Sequence, residues 1–524
     1  MAVENKYPIG VQSFQEIRQE NYTYVDKTMY IRQLVESGKS YFLSRPRRFG
    51  KSLLISTVEC LFRGKKDLFA GLAIYDMNWD WNEYPVLHFD LSGKEYTSPD
   101  QLDDILHEHL RRWEAEYGYS LEDRSPDERF RTLIRTIFEK TGKKVVVLVD
   151  EYDQPLLHSI IDTKLNARYK KKLQAFYAVL KTMDPFIRFA MLTGISRFSK
   201  VSVFSGANHL KDISLDKRYS SICGITEEEL HEYFLSGIKE FAEENDLTET
   251  ETFNLLKENY DGYHFSKKSP DVYNPFSVLN ALDSKEISDY WFESGTPSHI
   301  LDIMIRDNFY LPSLDCIDLV ESDLGAKESY LNNPISLLYE SGYLTIKSYD
   351  DEKKLYRLAL PNEEVSTSFS RALIPVYSGY GNTECMESLN KMRSAIIDGD
   401  ADRFMDLLKT FLHGNPYSNT EIAKRETYFK NNIFLVFKAL GFLPRSEEET
   451  CNSRMDIMLR TRRFIYIFEL KTNHTSEEAL QQIYDKGYAL PYAEEGKKII
   501  LIAANYSTAI NNIDSFIIKP LSSC

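Results

Sequence analysis

The chain has 524 residues, 43% apolar and 13% aromatic, enough for more than one core, since single cores rarely grow past about 250–300 residues. No run of about 18 apolar residues occurs and MAVENKYPIG has no apolar leader core, so neither a membrane span nor a secretory signal is expected, and the expected location is the cytoplasm. The net charge is −15, and the six cysteines stand singly without a C-x-x-C pair, which argues against zinc and against a disulfide framework.

Up to about Ser214, apolar strand-like runs alternate with amphipathic helical segments, the pattern of an α/β sheet protein. SYFLS predicts a strand, KSLLISTVECLF a helix, and the turn between them ends in Gly50-Lys51-Ser52. These residues close the phosphate-binding pattern G-x-x-x-x-G-K-[ST], although its first glycine would fall at Arg45. Triphosphate binding needs a strand, a turn with inward N–H groups, a lysine and a helix N-terminus. Lys51 is expected on the β- and γ-phosphates, Ser52 on Mg²⁺, and Gly50 allows close backbone approach. Arg47 and Arg48 read either as charge-assisted phosphate contacts or as solvated loop charges. Phe49 and Leu53 complete the stretch assigned to the nucleotide.

Further on, KKVVVLVDEYDQ at 143–154 predicts a strand buried on both faces that ends in Asp150-Glu151, where doubly wound sheets bind ligands. Asp150 is expected to hold Mg²⁺ through water and Glu151 to polarise the attacking water. The strand FIRFAML runs into TGISRFSK at 193–200. There Thr193 and Ser196 are candidates to sense the γ-phosphate and Arg197 to stabilise charge in cis; an ordinary strand and turn is the competing reading.

From Thr226 the pattern turns helical, opening with a capping box, T-E-E-E at 226–229. NPISLLYESGYLTIKSYDDEKKLYRLALP and EEVSTSFSRALIPVY then give helix, hairpin and helix, an order that resembles a winged helix. Its tip, SYDDEKK, is mixed in charge, which favours an interdomain spacer over a DNA-contacting wing.

A last α/β unit begins near Glu421. From Thr420 onward there are 14 Lys+Arg against 13 Asp+Glu, leaving 50 against 66 for the first 419 residues. A polyanion therefore meets least repulsion at the C-terminal end. SRMDIMLRTRRFIYIFELK at 453–471 predicts two strands joined by a basic turn. Alternation puts Glu469 and Lys471 on one face, and Asp456 pairs near 467–469, so a same-face register unites the three. Two carboxylates can hold Mg²⁺ on a phosphodiester and its attacking water, while the lysine orients that water or neutralises developing charge. In helix EIAKRETYFKNNIFLVFKALGF, Glu426 lies on the apolar stripe of Phe429, Ile433, Phe437 and Leu440, so its carboxylate is expected inward. Helix SEEALQQIYDKGYALPY offers Gln482, and Tyr428, Tyr484 and Tyr488 read as core.

SFQEIRQENYTYVDKT, YFLSRPRRFGKSLLIST, LFAGL, VDEYDQPL, TGISRFSKVSVFSGANHLKDIS and YDGYHF together resemble the AAA-ATPase-like family of bacterial proteins, which usually carry a C-terminal PD-(D/E)xK nuclease domain. The resemblance runs through essentially the whole chain, and R-P-R-R-F-G-K-S, without the first glycine, is specific to that group. It implies ATP binding at Lys51 and Ser52 with Asp150 at the metal, and it marks YVDKT as a signature that puts Asp26 and Lys27 near the nucleotide. In the resembled nuclease superfamily the order helix Glu, strand Asp, strand E-x-K, helix Gln becomes Glu426, Asp456, Glu469-x-Lys471 and Gln482. Glu426, Asp456 and Glu469 are then the metal ligands, for Mg²⁺ or alternatively Mn²⁺. The implied organisation is a P-loop parallel-sheet domain at 1–215, a helical lid at 216–330, a winged-helix-like region at 331–417 and a restriction-endonuclease-like α/β domain at 418–524. The expected activity is an ATPase fused to a metal-dependent nuclease, with nucleic acid (DNA ahead of RNA) as partner and a homo-oligomer left open. The rival reading is a nucleotide-dependent switch or scaffold whose nuclease-like domain binds without cutting.

Overall fold

A computed structural model describes residues 6–197, 209–293, 300–301, 303–304, 309–325, 334–413, 422–441, 456–492 and 496–521, without the side chains of 422–426, 428 and 456. The chain forms two compact units, one of Met1–Ile303 with Asp318–Asn362 and one of Met304–Ile317 with Glu363–Cys524. The division crosses the 331–417 stretch between Asn362 and Glu363.

In the first unit, strands β1 (Ser40–Ser44), β2 (Val86–Asp90), β3 (Val145–Asp150), β4 (Ile187–Gly194) and β5 (Lys211–Asp212) form a parallel sheet in the order β2-β3-β4-β1-β5. Parallel strands need crossovers, and amphipathic helices Gln101–Glu116, Pro126–Thr141 and Thr163–Thr182 supply them. Their apolar stripes bury Leu106, Trp113, Ile134, Leu173 and Phe176 against Phe89, Val147 and Val149. All six residues of β3 are buried, as its unbroken valine run requires of a central strand. Helix Glu227–Glu244 starts at the expected capping box, Thr226 and Glu229 exchanging side-chain and backbone hydrogen bonds.

Helix Pro334–Ser341, strands β7 (Thr345–Asp350) and β8 (Leu355–Ala359), and helix Glu363–Ser378 appear in the expected order. The short strand β6 (Ile317–Val320) adds to β8, giving a sheet β6-β8-β7.

The second unit carries a sheet β12-β11-β10-β9, built from β9 (Asp456–Arg460), β10 (Phe464–Thr472), β11 (Lys498–Ser507) and β12 (Asn512–Leu521). β10 and β11 run parallel, and helix Ser476–Lys486 crosses between them, burying Ala479, Leu480 and Ile483 against Ile465, Ile467 and Leu501. Phe468, between Ile467 and Glu469, packs instead on Phe404 and Phe437 of helices Ala401–His413 and Ile422–Ala439. The expected stripe of that second helix is buried at Phe429, Ile433, Phe437 and Leu440. Tyr484 is the correction here. It lies off the Ala479–Leu480–Ile483 stripe and is 45% exposed.

Candidate functional sites

Strand β1 is wholly buried, and the chain leaves it through Arg45–Gly50 before helix Lys51–Phe62 begins. Gly50 caps that helix at φ 92°, a left-handed conformation that glycine adopts at least cost. Arg48 (φ 65°) and Glu151 (φ 52°) hold left-handed geometry without that freedom, which costs about 1–3 kcal/mol each and tends to persist where function requires it.

Both residues line a cleft of about 440 Å³ together with Arg47, Gly50, Lys51, Ser52, Leu53 and Asp150. Ile9, Val11, Phe276 and Leu279 give the same cleft apolar walls. The loop and the strand end, about a hundred residues apart in sequence, thus meet in one concavity. Lys51 is 4% exposed; its Nζ lies 3.3 Å from Glu151 Oε1 and donates to the Pro46 carbonyl at 3.1 Å. Asp150 is 5% exposed and accepts from the Thr193 hydroxyl and, at 3.1 Å, from the Glu151 N–H, with the Ser52 hydroxyl beside it in the same cleft. Burial and then the Glu151 charge raise its pKa, while the two hydroxyls and Lys51 pull it down. A buried carboxylate beside a serine hydroxyl at a helix N-terminus is a hard-oxygen donor set, which suits Mg²⁺. The Arg48 guanidinium carbon stands 4.8 Å from the Phe276 ring centroid.

Several expected residues lie elsewhere. Phe49 faces the interior, 1% exposed, with its ring 4.8 Å from Tyr263 and 5.5 Å from Phe265. Arg197 donates to Asp212 Oδ2 at 2.8 Å, and its backbone N–H to Glu340 Oε1 at 2.8 Å; it does not line the cleft. Pairing with a nearby carboxylate satisfies the guanidinium there. Thr193 reaches the cleft only through Asp150, and Ser196 is fully buried, its N–H held by Asp153 at 2.6 Å. Lys27 is buried on the Ser221 carbonyl (2.7 Å) and Glu229, while Asp26 accepts from the N–H groups of Thr28 and Ala73.

The sequence reading missed Asp90, which lines the cleft from the end of β2, in register beside Asp150. It also missed Asp153, whose carboxylate fixes the turn after β4. Asp90 ends an apolar run much as Asp150 does, and that signal could have found it.

In the second unit the β9–β10 register sets Asp456 directly opposite Glu469. Glu469 is 3% exposed, and Lys471 Nζ lies 3.3 Å from its Oε1. The same amine donates to Gln482 Oε1 from the crossover helix. Glu469, Lys471 and Gln482 thus converge at the C-terminal end of β10. The side chains of Glu426 and Asp456, the other two expected ligands, and of Tyr428, lie outside the described residues. Among the described residues no group of three or more His, Cys, Asp or Glu side chains is clustered to hold a metal. Asn505, buried beside Lys471 on β11, accepts from the His474 N–H and donates to Asp514, and its sequence context gave no hint of this. No helix among the described residues is long and apolar enough to cross a membrane.

Residues 8–204 match the family model of a predicted AAA-ATPase, and residues 424–516 match that of the PD-(D/E)XK nuclease superfamily. An "Uncharacterized protein in vnfD 5'region" from Azotobacter chroococcum mcd 1 is 35% identical over 525 residues, covering 98% of this chain and 99% of that protein.

Proposed function

The chain belongs to the AAA-ATPase-like family and joins a match to a predicted AAA-ATPase with a C-terminal match to the PD-(D/E)XK nuclease superfamily, and on that premise we propose that it binds and hydrolyses ATP and cuts nucleic acid under nucleotide control. The observation that carries the reading is the convergence of Lys51, Ser52, Asp150 and Glu151 on one cleft that also has apolar walls.

Lys51 and the N-terminal N–H groups of helix Lys51–Phe62 take the phosphates, and Arg47 and Arg48 lie within the same cleft to add charge. Ile9, Val11 and Phe276 offer the base an apolar seat. A divalent ion held by Ser52 and Asp150 would neutralise charge on the β- and γ-oxygens. Glu151, already at the cleft wall, is the group that orients water once a phosphate draws Lys51 away from it. In the second unit, an ion held by Glu469 with Asp456 and Glu426 would polarise a scissile phosphate. Lys471, held by Gln482 and Glu469, stands ready to orient the attacking water or to balance charge on the leaving side.

The test incubates full-length protein with circular DNA, linear DNA or RNA, with Mg²⁺ or Mn²⁺, and with or without ATP. Glu469→Ala runs beside it to expose contaminating nuclease. Metal-dependent cutting that vanishes in Glu469→Ala and changes with ATP is the expected result. ATP hydrolysis without cutting under any condition would replace the reading with a nucleotide-driven switch.

A further inference from the structure

Position 45 is where the phosphate-loop pattern calls for its first glycine, and an arginine stands there. Its side chain is 1% exposed and runs beneath the loop rather than toward the cleft. Nη1 donates to the carbonyls of Ser44 (2.8 Å) and Ser214 (2.9 Å), and Nη2 to those of Tyr219 (3.1 Å) and Ser220 (3.3 Å). The Phe265 ring centroid lies 4.2 Å from the guanidinium carbon. Its hydrogen bonds among the described residues all go to carbonyl oxygens, none to a carboxylate. Burying a cation on dipoles alone is expensive, and a planar five-donor fork is the side chain that can span carbonyls on two sides.

Three of the four carbonyls belong to residues 214–220, the turn that leads from β5 toward helix Glu227–Glu244. The residues that follow it, 221–224, are fastened twice more. The Gly224 N–H donates to the Phe49 carbonyl at 3.2 Å, and Lys27 joins the Ser221 carbonyl to Glu229. On its other side, Arg45 is bonded to Pro46, whose carbonyl receives Lys51 Nζ. A continuous path therefore runs from the 214–220 carbonyls through the guanidinium and Pro46 to the lysine amine.

Building on the nucleotide reading of the cleft, we propose that Arg45 is a positioning residue for the triphosphate: its fork does the work of the missing glycine by holding the loop open from below, and it makes the placement of Lys51 depend on the 214–220 turn. It touches no phosphate itself.

Arg45→Lys keeps the charge but cannot span both sets of carbonyls, and Arg45→Met keeps the length alone. Full-length variants are titrated with a fluorescent ATP analogue, assayed for ATP hydrolysis and melted without nucleotide. The expected result is a folded Arg45→Lys protein whose Kd and KM for ATP rise about tenfold or more while kcat changes less than about threefold. Arg45→Met is expected to bind more weakly still. A folded Arg45→Lys protein with unchanged Kd would overturn the proposal, since a purely structural arginine would lower melting alone. If neither variant folds, hydrogen exchange of the unmodified protein decides: ATP should slow exchange in the 214–220 turn by about threefold or more, because coupling between two sites is reciprocal, and unchanged protection there overturns the proposal too. Absence of nucleotide binding by the unmodified protein would sink the reading of the cleft and this inference with it, whereas binding that is equal in Arg45→Lys sinks this inference alone.

Discussion

Glu151 holds two unusual positions at once, a left-handed backbone and a carboxylate 3.3 Å from the phosphate-loop lysine. Replacing it with Gln removes the charge and keeps a similar shape. ATP binding should survive, and turnover should fall by about 10²-fold or more, the usual worth of a positioned base; equal kcat in Glu151→Gln would refute its role. Asp153, two residues on, is raised to about 7, by burial first and then by Glu151, against the N–H of Ser196. Unfolded, its carboxyl titrates near 3.9. Between those values the folded state holds the extra proton, so its contribution is fully present below pH ~4 and is lost as pH rises toward 7. Asp153→Asn keeps an oxygen for the Ile195 and Ser196 N–H groups, and should flatten the melting temperature across that window. An unchanged slope in scanning calorimetry would contradict this. The sequence could show Lys51, Ser52, Asp150 and Glu151 because each belongs to a contiguous loop or strand end. It could not show that Arg197 turns to Asp212 and Glu340, because the pairing depends on partners 15 and 143 residues away.

Among the elements, the end of β4 fixes the distance between the two strand ends that frame the cleft. Gly194 is needed there for space. A Cβ would sit 2.5 Å from Asp153 Oδ1 and from the Tyr152 ring. Gly194→Ala should destabilise by about 1–3 kcal/mol, as overpacking generally does, and should lower ATP affinity by shifting Asp153 and with it Glu151. Urea unfolding and nucleotide titration of the one variant check both. At this scale, elements with strong local patterns were legible, such as the valine-rich β3 and the helix capped by Thr226 and Glu229. β6 was not, since four residues of IDLV carry no period and acquire strand character only from pairing with β8. Nor was Tyr484 legible as exposed: aromatic character argued for burial, and the position of the helix on its sheet decided otherwise.

For the whole molecule, the two units are interleaved along the chain. Residues 304–317 belong to the second unit although 318–362 return to the first. From Phe309 on, the borrowed segment is firmly held. Asn431, fully buried, receives the Leu311 N–H and donates to the Phe309 carbonyl, both at 2.9 Å, and Lys438 pairs with Asp315 at 2.8 Å. Leaving these groups unpaired costs about 1–3 kcal/mol each. A fragment of residues 363–524 should therefore melt lower than the same fragment supplied with peptide 304–317; equal melting would show that the segment is dispensable. Sequence patterning put the start of the last α/β unit near Glu421, but short apolar stretches around Leu311 and Leu314 look alike whichever core takes them.

The path of residues 304–317 also crosses the order of synthesis with the order of assembly. A ribosome delivers this stretch before the first unit has its hairpin and long before the helix bearing Asn431 exists. The emerging polypeptide must carry those apolar residues unpaired until the rest of their core is made. For the same reason a single crossover in the gene cannot exchange one unit without tearing the other, so the two halves are bound to be inherited together.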